Sequence, residues 1–396
     1  MSFLKKWLTV LQAGAWGTFM LQGAEAGVQG FPPLKSPPAV FAVEDHYQVL
    51  VTTGKPSLVR LRVGENFYTG HINGVRPSSR NVHRFRIPMT ELDKAGRYTV
   101  YCRPLPVRVP YMRKVRIYEE VSKSYDFCKL PPDGIRIFHL ADTHGRIEQP
   151  ARNALGSGNF DLLILNGDLV ETSGEKQSLE NPAVLAGKIT GGRIPVIYAR
   201  GNHELRGPWA EEIHNWVPQA DGKLYYEVKL GSLWCMVLDG GEDKTDTHPA
   251  YGNTIECSAY RREQLEFIRK RAELKNHIAP SVRYRVVICH IPFPRYVGKN
   301  AADEENRRFT IYGEWGELLK KLYAPQLLLS GHTHKFGIEN EPGFPMPVVM
   351  GARFDKKADL VSGAFTRANT SRSSIFKRHL RNATFFTLNP IASISF

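Results

Sequence analysis

The 396-residue chain has little cysteine, little acid for its size and few long apolar runs. Its five cysteines, Cys102, Cys128, Cys235, Cys257 and Cys289, form no CxxC pair and make an odd count. This excludes a disulfide framework and a zinc-thiolate site. Cys235 and Cys289 stand inside apolar runs, where a thiol serves as a small buried hydrophobe. Past the N-terminal stretch, no segment approaches the roughly 18 continuous apolar residues of a membrane helix. Asp and Glu number 39 against 53 Lys and Arg, a net charge of +14. Such an excess favours anionic partners: phosphate esters, nucleic acid or an anionic surface. The basic residues are scattered, however, and no run interleaves them with aromatics, so nucleic acid as a partner has no motif behind it. What remains is ordinary globular material, 42% hydrophobic and 23% charged, enough for roughly two to three domains.

The opening MSFLKKWLTVLQAGAWGTFMLQGAEAG has two lysines, an apolar middle and then Ala24-Glu25-Ala26. That is the order of a secretory signal over residues 1–26, cut after Ala26. It places the mature protein outside the cytoplasm, secreted or periplasmic; an amphipathic leader would leave it cytoplasmic. GVQGFPPLKSPP, residues 27–38, is a Pro/Gly linker. Residues 39–125 then read as short strands with period-two alternation, AVFAVEDHYQVLV, SLVRLRVG, NVHRFRIPM, GRYTVYCR and RKVRIYEE, separated by Gly, Pro and Asn. They predict a small all-β sandwich of immunoglobulin or fibronectin type, with Tyr98 as a tyrosine corner.

After the turn at Pro131–Gly134 the grammar changes. Apolar strands (IRIFHLAD, FDLLILNGD, IPVIYARGN, LWCMVLDGG, YRVVICH, QLLLSGH, PMPVVMG) alternate with helix-compatible stretches at 179–189, 259–277 and 315–323. This predicts an α/β domain over residues 135–350, with helices covering the sheet. Residues 351–396 form a basic, Ser-rich tail with no clear period; FFTLNPIASISF reads as one last strand.

The chemistry is at the strand ends. IFHLA runs into Asp142-Thr143-His144, LLILN into Gly167-Asp168, and VIYAR into Gly201-Asn202-His203-Glu204; VVIC ends at His290, and LLLS at Gly331-His332-Thr333-His334. In open α/β sheets that edge binds ligands. Each pair alone is more often a turn, and His290 alone more often a core histidine; five in order are not coincidence. Oxygen and imidazole donors without thiolate suit Mn, Fe, Zn or a similar divalent ion. Seven ligands with one shared carboxylate supply two such ions, and Asp168 is the natural bridge. Two ions at about 3.5–4 Å clamp a phosphoryl group and activate the water between them.

Together, Asp142-x-His144, Gly167-Asp168, Gly201-Asn202-His203-Glu204, His290 and Gly331-His332-x-His334 resemble the five-block signature of calcineurin-like metallophosphoesterases. The resemblance implies an α/β metallophosphoesterase fold preceded by the sandwich. It also implies one metal on Asp142, His144, Asp168 and His334, and a second on Asp168, Asn202, His290 and His332. His203 is implied as general acid or oxyanion-stabilising donor beside the leaving group. The order of sandwich and phosphoesterase is also similar to purple acid phosphatases, but Glu171 stands where those carry a tyrosine ligand, and His144 where they lack histidine.

The expectation is therefore a hydrolase of phosphate esters acting through a metal-bound hydroxide, with a lean to monoesters. Phosphodiester cleavage on nucleotides or nucleic acid is the alternative, as is a non-catalytic binding module on the same fold. Substrate contacts are expected from Asp243, Asp246 and His248 in the loop DGGEDKTDTHP, and from Arg295 and Tyr296; Glu204 is expected to orient His203.

Overall fold

The computed structural model describes residues 34–114, 118–297, 310–344 and 346–351, with the backbone of three further strands near the C-terminus. The expected signal segment and most of the linker lie outside the described residues.

Among the described residues the N-terminal region is all-β apart from one short α-helix and a 3-10 turn at Met112–Lys114. It runs β1 (Ala39–Val43), β2 (His46–Thr52), β3 (Ser57–Val63), β4 (Asn66–Tyr68), β5 (Val82–Pro88), α1 (Met89–Ala95), β6 (Arg97–Pro104) and β7 (Val121–Asp126). AVFAVEDHYQVLV, which reads as one run, is a hairpin: Glu44 takes a positive φ of 52° between β1 and β2. One antiparallel set has the order β1-β2-β5 and the other β4-β3-β6-β7. Tyr47 of β2 meets Phe127, just past β7, edge-on at 5.0 Å.

The expected break between residues 125 and 135 is not a gap in the hydrogen bonding. β1 pairs in parallel with β10 (Pro195–Ala199), so β1-β2-β5 continues the large sheet of the following region. Both faces of β1 and β2 are buried for this reason; Ala39, Phe41 and Leu50 join the apolar cluster of that region. Tyr98 also reaches across. Its hydroxyl donates to the Gly192 carbonyl at 3.0 Å, not to a nearby turn of its own sheet as a tyrosine corner would.

The second region has two sheets. The first has the order β18-β17-β19-β8-β9-β10-β1-β2-β5, where β8 is Ile135–Leu140, β9 Leu162–Asn166, β17 Leu360–Phe365, β18 Arg378–Arg381 and β19 Thr384–Leu388. The start of the expected last strand is thus present as β19, antiparallel to β8, while residues 389–396 lie outside the described residues. β17 and β18 were not legible in the tail's polar composition. The other sheet has the order β11-β12-β13-β14-β16-β15: β11 Tyr226–Leu230, β12 Leu233–Leu238, β13 Tyr284–Cys289, β14 Leu327–Ser330, β15 Gly337–Glu339 and β16 Val348–Met350. Helices α2 (Glu148–Gly156) and α3 (Asn181–Thr190) cover the first sheet. Helices α4 (Cys257–Glu273) and α5 (Thr310–Leu322) cover the second, where Trp234, Trp315 and Tyr323 fill the core. β8, β9 and β10 of one sheet and β13 and β14 of the other end near one another, because Asn166 at the end of β9 donates to the Leu329 carbonyl of β14 at 3.1 Å.

Candidate metal centre

All seven predicted ligands follow these strand ends. Asp142, Asp168, Asn202 and His290 are at most 2% exposed. The chain reaches this arrangement through unfavourable backbone geometry: Asp142, His144, Asp168, His332 and His334 all have positive φ, between 47° and 68°. Residues with a Cβ seldom adopt that conformation, and where they do the surrounding structure must hold them. Glycine makes the close approach possible. A Cβ on Gly201 would stand 2.2 Å from the Asp168 nitrogen, and one on Gly167 would stand 2.5 Å from His290 Nδ1.

The donor atoms gather into three groups, each within 4.8 Å: Asp142, His144, Asp168 and His334; Asp168, His290 and His332; and His144, Glu171 and His203. Asp168 belongs to the first two. Asn202 Oδ1 adds to the second, 3.0 Å from His332 Nδ1. Within these groups His144 Nε2 lies 3.1 Å from His334 Nε2, and His334 Nε2 lies 3.5 Å from Asp142 Oδ1. The residues fit a cation. His290 donates Nδ1–H to the Asn166 carbonyl at 2.6 Å, while its buried Nε2 has no hydrogen-bond partner although Asp168 Oδ2 is 3.2 Å away. An imidazole anchored at one nitrogen with a bare, inward-facing second nitrogen is the form a metal ligand takes.

The electrostatics agree. Burial pushes the Asp142 carboxyl up to about 7, helped by the neighbouring charges of Asp168 and Glu204. Burial works against Asp168 as well, but His290 and His203 hold it well below the usual carboxylate range. His290 is raised to about 10: desolvation opposes its charge, and Asp168 and Asp142 more than compensate. A buried site that crowds carboxylates this closely calls for positive charge.

A second ring of residues fixes these ligands. Glu204 is fully buried and does not orient His203 as expected. Its carboxylate instead accepts from the backbone N–H of Asp168 (3.0 Å), Leu169 (2.7 Å) and Gly201 (3.0 Å), tying two ligand loops together. His203 donates Nδ1–H to the Glu171 carbonyl at 2.7 Å, and its Nε2 accepts from Arg206 Nη1 at 2.9 Å. Arg206 is itself gripped by both oxygens of Glu242, at 2.7 and 3.1 Å, and Glu242 takes the Asn202 amide at 3.3 Å. Neither Arg206 nor Glu242 stands out in the sequence. Glu242 sits four residues past β12 in a polar loop, and only the fold brings it to Asn202.

The expected substrate contacts divide. Asp243 is at the centre, its Oδ2 3.3 Å from His332 Nε2; burial works against its charge, yet His332 and Lys244 hold it well below the ordinary range. Asp246 accepts from the first N–H groups of α4, at Cys257 and Ser258, and so serves as a cap. His248 accepts from Ala250 N–H in an exposed turn. Arg295 is paired through both ends of its guanidinium with Glu339, which occupies the fork that a phosphate would need. Burial raises the Tyr296 hydroxyl to about 12.

The family model described as calcineurin-like phosphoesterase matches residues 135–336. Similar solved structures include a purple acid phosphatase, PPD1, from yellow lupin (Lupinus luteus): 14% identity over 92% of this chain and 67% of that one, TM-score 0.46. A dimetal phosphatase from Danio rerio has 11% identity over 56% of this chain and 88% of that one, TM-score 0.38. A phosphopantetheinyl hydrolase from Mycobacterium tuberculosis has 14% identity over 56% of this chain and 91% of that one, TM-score 0.33. No curated protein sequence matches the chain.

Proposed function

Because the chain belongs to the calcineurin-like phosphoesterase family, and so hydrolyses phosphate esters, we propose that its reaction is phosphomonoester hydrolysis at a dinuclear centre held by Asp142, His144, Asp168, Asn202, His290, His332 and His334. The observation that carries this is the convergence of the strand-end ligands into two groups that share Asp168. Two divalent ions bound there, Mn, Fe, Zn or similar, supply Lewis acidity toward the phosphoryl oxygens and an activated water.

The protein's own residues do the rest. Asp168, fixed by the Glu204 carboxylate through two amides of its own loop and one of the Gly201 loop, keeps the two ligand groups in one register. Asn166 holds His290 so that Nε2 faces inward. Glu242 fixes the Asn202 amide and aims Arg206 at His203. His203 spends Nδ1–H on the Glu171 carbonyl and Nε2 on Arg206. The donors left at this edge are therefore the Nη1 and Nη2 hydrogens that Arg206 does not give to His203 and Glu242; they suit a terminal phosphoryl with several free oxygens, which is the reason for preferring monoesters. Asp243 stands beside His332 and places a negative charge at the edge of the centre. The all-β region, fibronectin-like in strand order, stiffens the sheet that carries β9 and β10 through the β1–β10 pairing. The reading of residues 1–26 as a secretory signal supports an enzyme that acts outside the cytoplasm.

The test is hydrolysis of p-nitrophenyl phosphate beside bis(p-nitrophenyl) phosphate, with metal-stripped protein reloaded with Mn, Zn, Fe or Ni in turn. Metal-dependent turnover that favours the monoester is expected. A preference for the diester would overturn the substrate class, and turnover unchanged by metal removal would overturn the centre.

A further inference from the structure

One end of the four-stranded sheet bears a surface that the phosphoesterase reading does not use. Two loops leave it together, residues 69–81 after β4 and 105–114 after β6; Pro104 at the end of β6 pairs with Ser57 at the start of β3. They are tied to each other, since Arg108 donates to the Arg76 carbonyl at 2.5 Å. Their tips expose large apolar side chains: Ile72 by 49%, Val75 by 53%, Val107 by 52% and Tyr111 by 71%. Ile72 and Val75 are held outward by a reciprocal pair of backbone hydrogen bonds at 2.9 Å. Scattered exposed apolar residues mean little, but a cluster at one end of a sheet marks an interaction site.

Charge at this end has one sign. Residues 69–81 and 105–114 carry Arg76, Arg80, Arg108, Arg113 and Lys114 and no Asp or Glu. The acids that follow, Glu119 and Glu120, stand next to β7, and Glu120 is taken by Arg60. Arg76 is the telling residue. Its Nε and Nη2 are buried with no hydrogen-bond partner, and burial, then neighbouring Arg103, works against its charge. Such a guanidinium is stabilised by an incoming anion. Next to it lies a cleft of about 310 Å³ lined mainly by Leu58, Leu105, Val109 and Met112, with Arg103 and Arg108 among its walls.

We propose that this end of the all-β region docks on an anionic phospholipid bilayer, with arginines at the headgroup phosphates and the apolar tips in the interface. Apolar side chains that enter the headgroup boundary beside Lys and Arg are how peripheral proteins bind such surfaces, and a Tyr belongs at that depth. Three of the four tips, Ile72, Val75 and Val107, are aliphatic and offer no stacking face; nucleic acid is gripped through aromatic platforms, and of the four only Tyr111 could serve as one.

The experiment is co-sedimentation of the full chain with vesicles of phosphatidylcholine, with and without phosphatidylglycerol. Binding should require phosphatidylglycerol and weaken as salt rises. The pair Arg76→Gln and Arg108→Gln should weaken it about five-fold for each arginine removed. Val75→Asp with Tyr111→Asp should abolish it while leaving the melting temperature unchanged, since both side chains are exposed. Equal binding to pure phosphatidylcholine, or undiminished binding by the Val75→Asp/Tyr111→Asp protein, would overturn the proposal. So would duplex DNA binding that depends on the arginines but not on Val75 and Tyr111, because that pattern assigns the surface to nucleic acid.

Discussion

Replacing Glu204 by Gln tests whether the ligand loops are held as described. The side chain is fully buried; one oxygen accepts from Asp168 and Gly201, and the other from Leu169. Glutamine has the same shape but one acceptor oxygen. If that oxygen keeps the two-amide side, its NH2 must face the Leu169 N–H, so one bond is lost and two donors oppose each other. A hydrogen bond to a charged group contributes about 1.5–3 kcal/mol, which predicts a ten- to 150-fold shift of the folding equilibrium. Glu204→Ala strips all three amides of their acceptor and should cost roughly twice as much or more, a large part of a typical total of about 5–15 kcal/mol. Urea unfolding at constant pH reads the difference: the midpoint should fall in the order wild type, Gln, Ala at unchanged slope. Gln and wild-type midpoints that coincide would refute the reasoning, as would Gln and Ala midpoints that coincide.

Other outcomes follow from the same geometry. Tyr98→Phe deprives the Gly192 carbonyl of a buried donor and should lower stability by about 1 kcal/mol, measured by the same unfolding. Glu242→Gln releases Arg206 and Asn202 together and should lower kcat on p-nitrophenyl phosphate by up to about 100-fold; an unchanged kcat would remove this residue from the site. Buried His83 has its pKa lowered from 6.5 to about 4, first by burial and then by Arg80 and Arg76. The folded state therefore refuses a proton that the unfolded chain accepts. Its contribution is intact above pH 6.5 and is lost as pH falls through 4, about 3 kcal/mol in all. His83→Phe should be less acid-sensitive than wild type over that window; parallel stability curves would contradict the assignment.

The sequence made the ligands legible because each follows an apolar run that reads as a buried strand, and because five such endings in order are not coincidence although each alone is more often a turn. The positive φ values at Asp142, His144, Asp168, His332 and His334 fit residue types that tolerate the left-handed region better than most. Glu204, Arg206 and Glu242 were illegible in their roles, since their partners come from loops as far apart as residues 168, 202 and 242. The continuity of the first sheet had a sign that period-two reasoning passed over. AVFAV is apolar at every position, which is the pattern of a strand covered on both sides, and β1 is buried throughout, with α3 and β11 of the second sheet packed against it. In the tail, Ser, Arg and Lys gave β17 and β18 no period to read, whereas the aromatic pair in FFTL marked β19. Arg295 shows the opposite failure: a cation near a ligand motif looks like a phosphate contact until Glu339 is found in its fork.

The central claim is that Asp168 joins two metal sites into one centre. Metal-stripped wild-type protein and its Asp168→Asn variant, titrated with Mn and measured for bound metal and p-nitrophenyl phosphate turnover, test it most directly. The account predicts two ions per wild-type chain, and a variant that loses tight binding at both sites together with its turnover. A variant that still binds two ions tightly and turns over at the wild-type rate would contradict it.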